Sequence, residues 1–168
     1  MEIIYQKVKK EDEGQLSFLI NKVLGSLIRP EFFIPYSDWE LENLYNEDYA
    51  YLHGAYHGSL LIGMAQIYII EDMLIEEKDL LKITDGKVCE FGGNLMLAEY
   101  QGKGIMTELV KMQISFIKQL GYTCAITKTH PDNISGNMLF KKLGFEYKGK
   151  YILKNGFTRN IYTMDLLA

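Results

Sequence analysis

The chain has 168 residues, of which 48% are hydrophobic and 24% charged, and its formal net charge is −4. This length and composition suit one folded domain with a sizeable core and exclude a disordered chain. The negative charge argues against nucleic acid or an anionic membrane as a partner, and no apolar run reaches the length of a membrane span. We expect a cytoplasmic protein, because the N-terminus also lacks the basic-then-apolar pattern of a secretion signal.

The first third of the chain predicts one strand followed by two helices. Alternating apolar residues predict a strand over Met1–Val8, and aliphatic residues at helical spacing predict a helix over Leu16–Leu27. Ser37 and Glu40 stand at the capping-box spacing, so a short second helix is expected after Ser37. The aromatic segment Glu31–Tyr36 between the two helices is expected to line the core, with partial exposure, or a substrate cleft.

The middle of the chain predicts a hairpin and then a longer strand. Ala50–Tyr56 and Leu60–Ile70 are separated by a short turn and read as antiparallel strands. The charged segment Glu71–Lys87 is compatible with a short helix or an extended excursion of a hairpin. Val88–Ala98 predicts the next strand, and Gly92-Gly93 inside it indicates a bulge or the close approach of another group.

The last third predicts a long helix, a strand, a shorter helix and a terminal hairpin. A wide apolar stripe predicts the long helix over Ile105–Leu120, packed on the sheet. The segments Tyr122–Thr129 and Ile134–Leu143 predict the strand and the helix that follow it. Phe145–Tyr151 and Thr158–Leu166 predict an antiparallel pair.

These elements define a mixed α/β fold. Because the long helix is a crossover between the strands on either side of it, those two strands are expected to be parallel. The remaining strands favour antiparallel pairing. We therefore expect a mostly antiparallel central sheet that contains one parallel, splayed strand pair and is flanked by helices.

A glycine-rich turn, Gln101-Gly102-Lys103-Gly104, joins the end of the long apolar strand to the long helix. Glycine permits positive φ and the close approach of a ligand, and the helix start offers unpaired N–H groups to an anion. A phosphate-bearing ligand is therefore the first hypothesis, and a turn whose glycines serve packing alone is the alternative. The dinucleotide fingerprint fails at Thr107 and no P-loop pattern is present, so a nucleotide-binding domain is a weak interpretation.

Two segments resemble the hallmarks of the GCN5-related N-acetyltransferase (GNAT) family. Gln101–Met106 is similar to the signature Q/R-x-x-G-x-G/A, with Met106 in place of the last small residue. Asn133–Phe145 resembles the second hallmark, in which an asparagine opens a helix that ends in Leu-Gly-Phe. The resemblance covers nearly the whole chain and implies one N-acetyltransferase domain over residues 1–168, with acetyl-CoA or another acyl-CoA as cofactor.

The resemblance also implies the residues that bind this cofactor. Backbone amides of Gln101–Ile105 would hold the pyrophosphate, and the backbones of Met96 and Ala98 would pair with the pantetheine arm. Asn133 would bind that arm through its amide, and a helix N-cap is its alternative or additional role. Phe140 replaces the tyrosine that protonates the thiolate in many relatives, so water or another residue does so, or the step needs no acid. The full set is Met96, Leu97, Ala98, Gln101, Gly102, Lys103, Gly104, Ile105, Met106, Asn133 and Phe140.

Glu90 is the first candidate for a catalytic base. It is a lone carboxylate in an apolar strand, where burial would raise its pKa, whereas a solvent-facing position is the alternative. Tyr147 is a candidate acid or substrate contact. A free backbone N–H at Met96 or Leu97 is the candidate donor to the developing oxyanion.

The predicted reaction is therefore direct transfer of an acetyl group to a primary amine of a small molecule or a peptide. The alternative is a non-catalytic acyl-CoA-binding sensor. His53 and His57 are four residues apart but fall on a strand and its turn, so we interpret them as surface or packing residues rather than metal ligands. Cys89 and Cys124 are expected to be buried reduced thiols. Edge pairing of the C-terminal strands would permit a homodimer.

Overall fold

The computed structural model describes residues 1–168. The strands are β1 (Ile3–Lys7), β2 (Ala50–His57), β3 (Leu60–Tyr68), β4 (Val88–Met96), β5 (Cys124–Thr129), β6 (Glu146–Ile152) and β7 (Thr158–Asp165). The helices are α1 (Glu13–Gly25), α2 (Asp38–Glu42), α3 (Ile75–Leu81), α4 (Ile105–Gln119) and α5 (Ile134–Lys142). The strands form one seven-stranded sheet in the order β1-β2-β3-β4-β5-β7-β6.

The β4–β5 pair is parallel, and every other pair of neighbours is antiparallel. Pairing between β4 and β5 stops at Phe91 and Thr127, although β4 continues to Met96. The two strands therefore separate after Phe91, and one edge of β4 is left open. The parallel, splayed pair predicted from the crossover helix is confirmed.

A bulge in the β3–β4 pair lies next to this opening. The register shifts between Met64 and Gln66, and Gly93 adopts a φ of +62°. A Cβ at Gly93 would lie 2.5 Å from Oε1 of Gln66, closer than real contacts allow. The position requires glycine for both its backbone conformation and its close neighbour. The bulge predicted at Gly92-Gly93 is confirmed.

Helix α4 positions the site by packing on the sheet. Leu109, Val110 and Ile117 on its apolar stripe are fully buried. Leu109 belongs to the largest core cluster, whereas Val110 and Ile117 belong to the second. The helix therefore joins the two main clusters of the core, which fixes its N-terminus at the mouth of the β4–β5 gap.

The fold decides between a short helix and an extended excursion of a hairpin for the segment Glu71–Lys87. The segment after β3 forms a short 3-10 turn and α3, so the helical interpretation of Glu71–Lys87 is correct. The C-terminal hairpin joins the sheet through β7, which pairs with β5 and leaves β6 at the outer edge. No helix combines the length and apolar character needed to cross a bilayer.

The two histidines of the hairpin occupy a packing and a surface position, as predicted, whereas only one of the two cysteines is fully buried. His53 is buried, with Nδ1 3.1 Å from Nε2 of Gln113, and exposed His57 lies 2.8 Å from the Tyr100 hydroxyl. Cys89 is buried and Cys124 is half-buried, and both are free thiols.

Candidate active site

An open cleft of about 780 Å³ runs along the splayed edge of β4 and past the N-termini of α4 and α5. Its wall includes residues of β4, the glycine turn and α5. Those used below are Gly92, Gly93, Met96, Gln101, Gly102, Gly104, Ile105, Met106, Asn133 and Phe140. The volume lies within the usual range of small-molecule and cofactor sites.

The glycine turn presents a run of unused backbone donors to this cleft. The N–H groups from Gly102 to Thr107 donate no hydrogen bond to any protein acceptor, and α4 has no side-chain cap. Gly102 and Gly104 adopt φ values of +74° and +77°, and a Cβ at either position would meet nothing within 4 Å. These glycines therefore serve the backbone conformation and leave space in front of the amides. Free amides at a helix N-terminus form an anion-binding site, which fits a pyrophosphate.

Asn133 combines a structural role with an unused donor. Its Oδ1 accepts hydrogen bonds from the backbone N–H of Gly136 at 3.1 Å and from the Ser135 hydroxyl at 3.2 Å. The N-cap role is therefore confirmed. Its Nδ2 donates no bond within the protein, and the residue lines the cleft. The amide nitrogen remains available to a ligand.

The structure separates the two backbone donors predicted at the end of β4. The Leu97 N–H donates to the Ile62 carbonyl at 2.9 Å, so of the alternatives Met96 and Leu97, Leu97 is excluded. Successive N–H groups of a strand point in opposite directions, so the Met96 N–H faces the gap. The Met96 carbonyl accepts a bond from Nε2 of Gln101 at 3.2 Å. Met96 is thus the remaining candidate for the oxyanion donor.

The other predicted cofactor residues divide into two groups. Leu97, Ala98 and Lys103 do not line the cleft. Met106 lines it, but its side chain is partly buried and packs against both main core clusters, so the departure from the family signature is absorbed by the core. Phe140 also lines the cleft and is buried, with its ring packed edge-on against Phe145.

A second cavity of about 260 Å³ opens from the cleft. The two share Phe32, Phe33, Gly92, Gly93 and Lys128, so they meet at the β4 bulge. Polar side chains line the second cavity beyond this junction. They are Tyr36, Glu40, Tyr49, Tyr68, Glu90 and Arg159.

Glu90 lies in this second cavity and forms an ion pair. Its Oε2 is 3.2 Å from Nζ of Lys128, which is also 2.7 Å from Oε1 of Glu77. Burial raises the pKa of Glu90, Lys128 acts to lower it and Glu77 raises it further. The net direction is upward, as predicted, and the alternative of a solvent-facing Glu90 is wrong, since its side chain is only 17% exposed.

A polar network sits behind the bulge. The hydroxyls of Tyr36 and Tyr68 both donate to Oε1 of Gln66, at 2.6 and 2.9 Å. Burial raises the pKa of both tyrosines, so both keep their protons in the neutral range. This network fixes the position of Gly93 and the adjoining wall of the second cavity.

Several of these residues were missed in the sequence. Lys128 stands between two threonines and Arg159 between Thr158 and Asn160, so neither has the apolar neighbours that singled out Glu90, and no local signal marked them. Tyr147, by contrast, lines neither cavity. It lies on edge strand β6, half-exposed, with its hydroxyl 3.4 Å from Oδ1 of Asn160.

The fold is shared with solved acetyltransferases. An N-acetyltransferase from Staphylococcus aureus Mu50 superposes with a TM-score of 0.76 at 17% identity and covers 100% of both chains. NAA60 from Arabidopsis thaliana in complex with acetyl-CoA gives 0.77 at 15% identity, covering 99% of this chain and 100% of that one. The ribosomal-protein-S18-alanine N-acetyltransferase from Escherichia coli gives 0.70 at 12% identity, covering 98% and 94%.

Comparison of the sequence with curated proteins finds no match. The model of the Acetyltransferase (GNAT) family matches residues 21–145, a span that includes both hallmark segments and the strand between them. The chain belongs to the GNAT family of acetyltransferases.

Proposed function

We propose that the protein transfers the acetyl group of acetyl-CoA to a primary amine that enters through the second cavity. One observation carries this proposal. A cleft whose wall presents the unused amides of Gly102–Thr107 meets, at the bulge in β4, a cavity that contains the buried carboxylate of Glu90. Acetyl-CoA in the cleft and an amine in the second cavity can therefore meet at the bulge.

The donor side is assigned to the large cleft. The amides at the start of α4 would hold the pyrophosphate, and the free Nδ2 of Asn133 would bond to the pantetheine arm. Bound there, acetyl-CoA supplies a thioester carbonyl that an amine can attack directly, with cleavage of the C–S bond and departure of the CoA thiolate. The Met96 N–H would donate to the oxygen on which negative charge develops.

The acceptor side is assigned to Glu90. An amine enters water-exposed sites mostly as the ammonium and must lose a proton before its lone pair can attack. Glu90 would take that proton, and its raised pKa makes it a stronger base than an ordinary glutamate. The second proton leaves the nitrogen as the amide forms. One of the two protons ends on the CoA thiolate and the other is released to solvent, which restores the Glu90 carboxylate. Phe140 has no proton to give, so we assign protonation of the thiolate to water or to the proton that leaves the amine.

The acetylated amine of several structural neighbours belongs to a protein, as in the ribosomal-protein-S18-alanine N-acetyltransferase. These likenesses support an amine acceptor in general. They are compatible with either a small-molecule or a peptide acceptor. The shape and chemistry of the second cavity are the better guide to which of these two the protein uses.

Release of free CoA thiol from acetyl-CoA in the presence of a panel of primary amines tests the proposal. Turnover that depends on the amine, with an N-acetylated product identified by mass spectrometry, is the expected result. The rival function is an acyl-CoA sensor, which the phenylalanine at position 140 favours. Calorimetric binding of acetyl-CoA without turnover of any amine would support that rival and overturn the transferase.

A further inference from the structure

Arg159 is a buried cation that has no acidic partner. It is 2% exposed, and its guanidinium donates to the Thr158 carbonyl at 2.9 Å and to the Glu31 carbonyl at 2.8 Å. None of the protein's salt bridges includes it. The carboxylate of Glu31 is instead paired with Arg29. The guanidinium carbon also lies 4.9 Å from the centre of the Phe157 ring, but neither this ring nor the two carbonyl groups carries the negative charge that would neutralise it.

A buried charge of this kind is costly, and its cost falls when an opposite charge joins it. Arg159 lines the second cavity, so a bound molecule can reach it. Guanidinium groups present a planar fork of donors that matches a carboxylate with two parallel hydrogen bonds. The missing partner is therefore best supplied by a carboxylate on the acceptor itself.

The position of Arg159 agrees with this role. Glu90 lies opposite Ile126, and Lys128, two residues further along β5, lies opposite Ile161 of β7. Since side chains two residues apart share a face, Glu90, Lys128 and Arg159 lie on one face of three adjacent strands. Lys128 lines both the cleft and the second cavity, whereas Arg159 lines only the second cavity. Glu90 is tied to the junction of the cleft and the cavity by its ion pair with Lys128, whereas the unpaired cation has no such contact with the junction.

The dimensions of the cavity limit the acceptor. At about 260 Å³ it is slightly smaller than the usual range of ligand sites, which begins near 300 Å³. Its walls are largely aromatic, from Phe32, Phe33, Tyr36, Tyr49 and Tyr68. A compact molecule with a charged group at each end fits this chemistry better than a long polyamine or an extended peptide.

We infer that the acceptor is a small amine that also carries a carboxylate, with the amine beside Glu90 and the carboxylate bound to Arg159. This inference rests on the proposed acetyl transfer and names its substrate class. Arg159 is then the specificity-determining residue of the second cavity.

The test compares each amino acid with its carboxamide, which differs from it only in lacking the negative charge. The panel contains α-, β- and γ-amino acids with their carboxamides, all assayed by CoA release from acetyl-CoA. We expect at least one amino acid to exceed its carboxamide by about tenfold or more in kcat/KM, mainly through KM, because a charge-assisted hydrogen bond is lost in the amide. Arg159→Gln removes this preference and Arg159→Lys retains part of it.

Arg29→Gln is the matched control. This variant also removes a guanidinium that contacts Glu31. Arg29, however, is exposed and already paired with the carboxylates of Glu31 and Asp132, and it lines neither cavity. The preference for the carboxylate should survive this change. Should Arg159→Gln fail to fold, the comparison of amino acid with carboxamide in the unmodified protein still decides the question.

The outcomes separate the two proposals. Carboxamides that are acetylated as well as the matching amino acids overturn the role of Arg159 and leave the acetyl transfer intact. Absence of transfer to every amine in the panel, carboxylated or not, overturns the proposed function and this inference with it.

Discussion

The ammonium of Lys128 lies 3.2 Å from the carboxylate of Glu90, on the neighbouring parallel strand and close to the point where the two strands separate. The same ammonium contacts Glu77 at 2.7 Å, and the second oxygen of Glu77 is buried without a partner. One cation is therefore shared by two carboxylates. This sharing leaves Glu90 only partly neutralised and able to accept a proton.

Replacing Glu90 with glutamine tests its role as the base. Glutamine keeps the size of the side chain but cannot take a proton, so kcat should fall by roughly 100-fold or more. Steady-state kinetics with a fixed amine measures this loss, and calorimetry with acetyl-CoA should give an unchanged affinity. Unaltered turnover in Glu90→Gln would assign the proton to another group.

The pH profile should follow the charges around Glu90. The base works when deprotonated, so kcat/KM rises with pH through the pKa of Glu90, which burial and Glu77 raise and Lys128 lowers. Lys128→Met removes the charge that lowers the pKa of Glu90 and should move the rising limb of the pH profile to higher pH. Glu77→Gln removes a charge that raises the pKa of Glu90 and should move the limb to lower pH.

Both variants disturb a buried ion pair, so each must first be shown by circular dichroism and thermal melting to be folded at the assay temperature. Opposite displacements of the limb are the decisive result. A limb that stays in place in both folded variants excludes Glu90 as the titrating group.

The glycine turn can be tested at Gly102 and Gly104. Alanine at either position must adopt positive φ, which lowers the stability of the folded protein by about 1–2 kcal/mol. Its methyl group also reduces the open space in front of the amides. Because the added methyl group occupies space in front of the amides, we expect the affinity for acetyl-CoA to fall by about tenfold, or about 1.4 kcal/mol. Gly121→Ala is a matched control, because Gly121 has a φ of +83° and an equally open surrounding but does not line the cleft.

The control should lose stability by a similar amount in thermal melts while binding acetyl-CoA normally. Equal losses of affinity in all three variants would show that backbone strain, rather than the amides, accounts for the effect.

Stability below neutral pH should depend on His53. Burial lowers its pKa from 6.5 to about 4, and its ring packs edge-on against Phe116. Between these values the unfolded chain binds a proton that the folded protein does not. The stabilisation is therefore complete above pH 6.5 and declines as the pH falls toward 4, by roughly 3 kcal/mol in total.

Urea unfolding at several pH values measures this slope. His53→Gln should flatten it between pH 4 and 6.5, whereas His57→Gln, at an exposed histidine, should retain it. A slope of the same size in His53→Gln would assign the pH dependence to other groups.

The local features of this protein could be predicted from the sequence. The apolar stripe of α4, the Ser37–Glu40 capping box, the glycines at 92–93 and the Asn133 cap act within a few residues, and the structure contains all four. The two hallmark segments rest on equally short spacings, and they identified the family and its cofactor.

The acceptor side depended on long-range pairing. Lys128 meets Glu77 across 51 positions of the chain, and Arg159 meets the Glu31 carbonyl across 128. Such contacts follow from strand register and from the insertion of β7 between β5 and β6, which no local pattern specifies. The sequence could therefore point to a phosphate-bearing donor, because a helix start and its glycines are contiguous. Only the assembled sheet, by bringing distant strands side by side, decided which charged side chains line the second cavity.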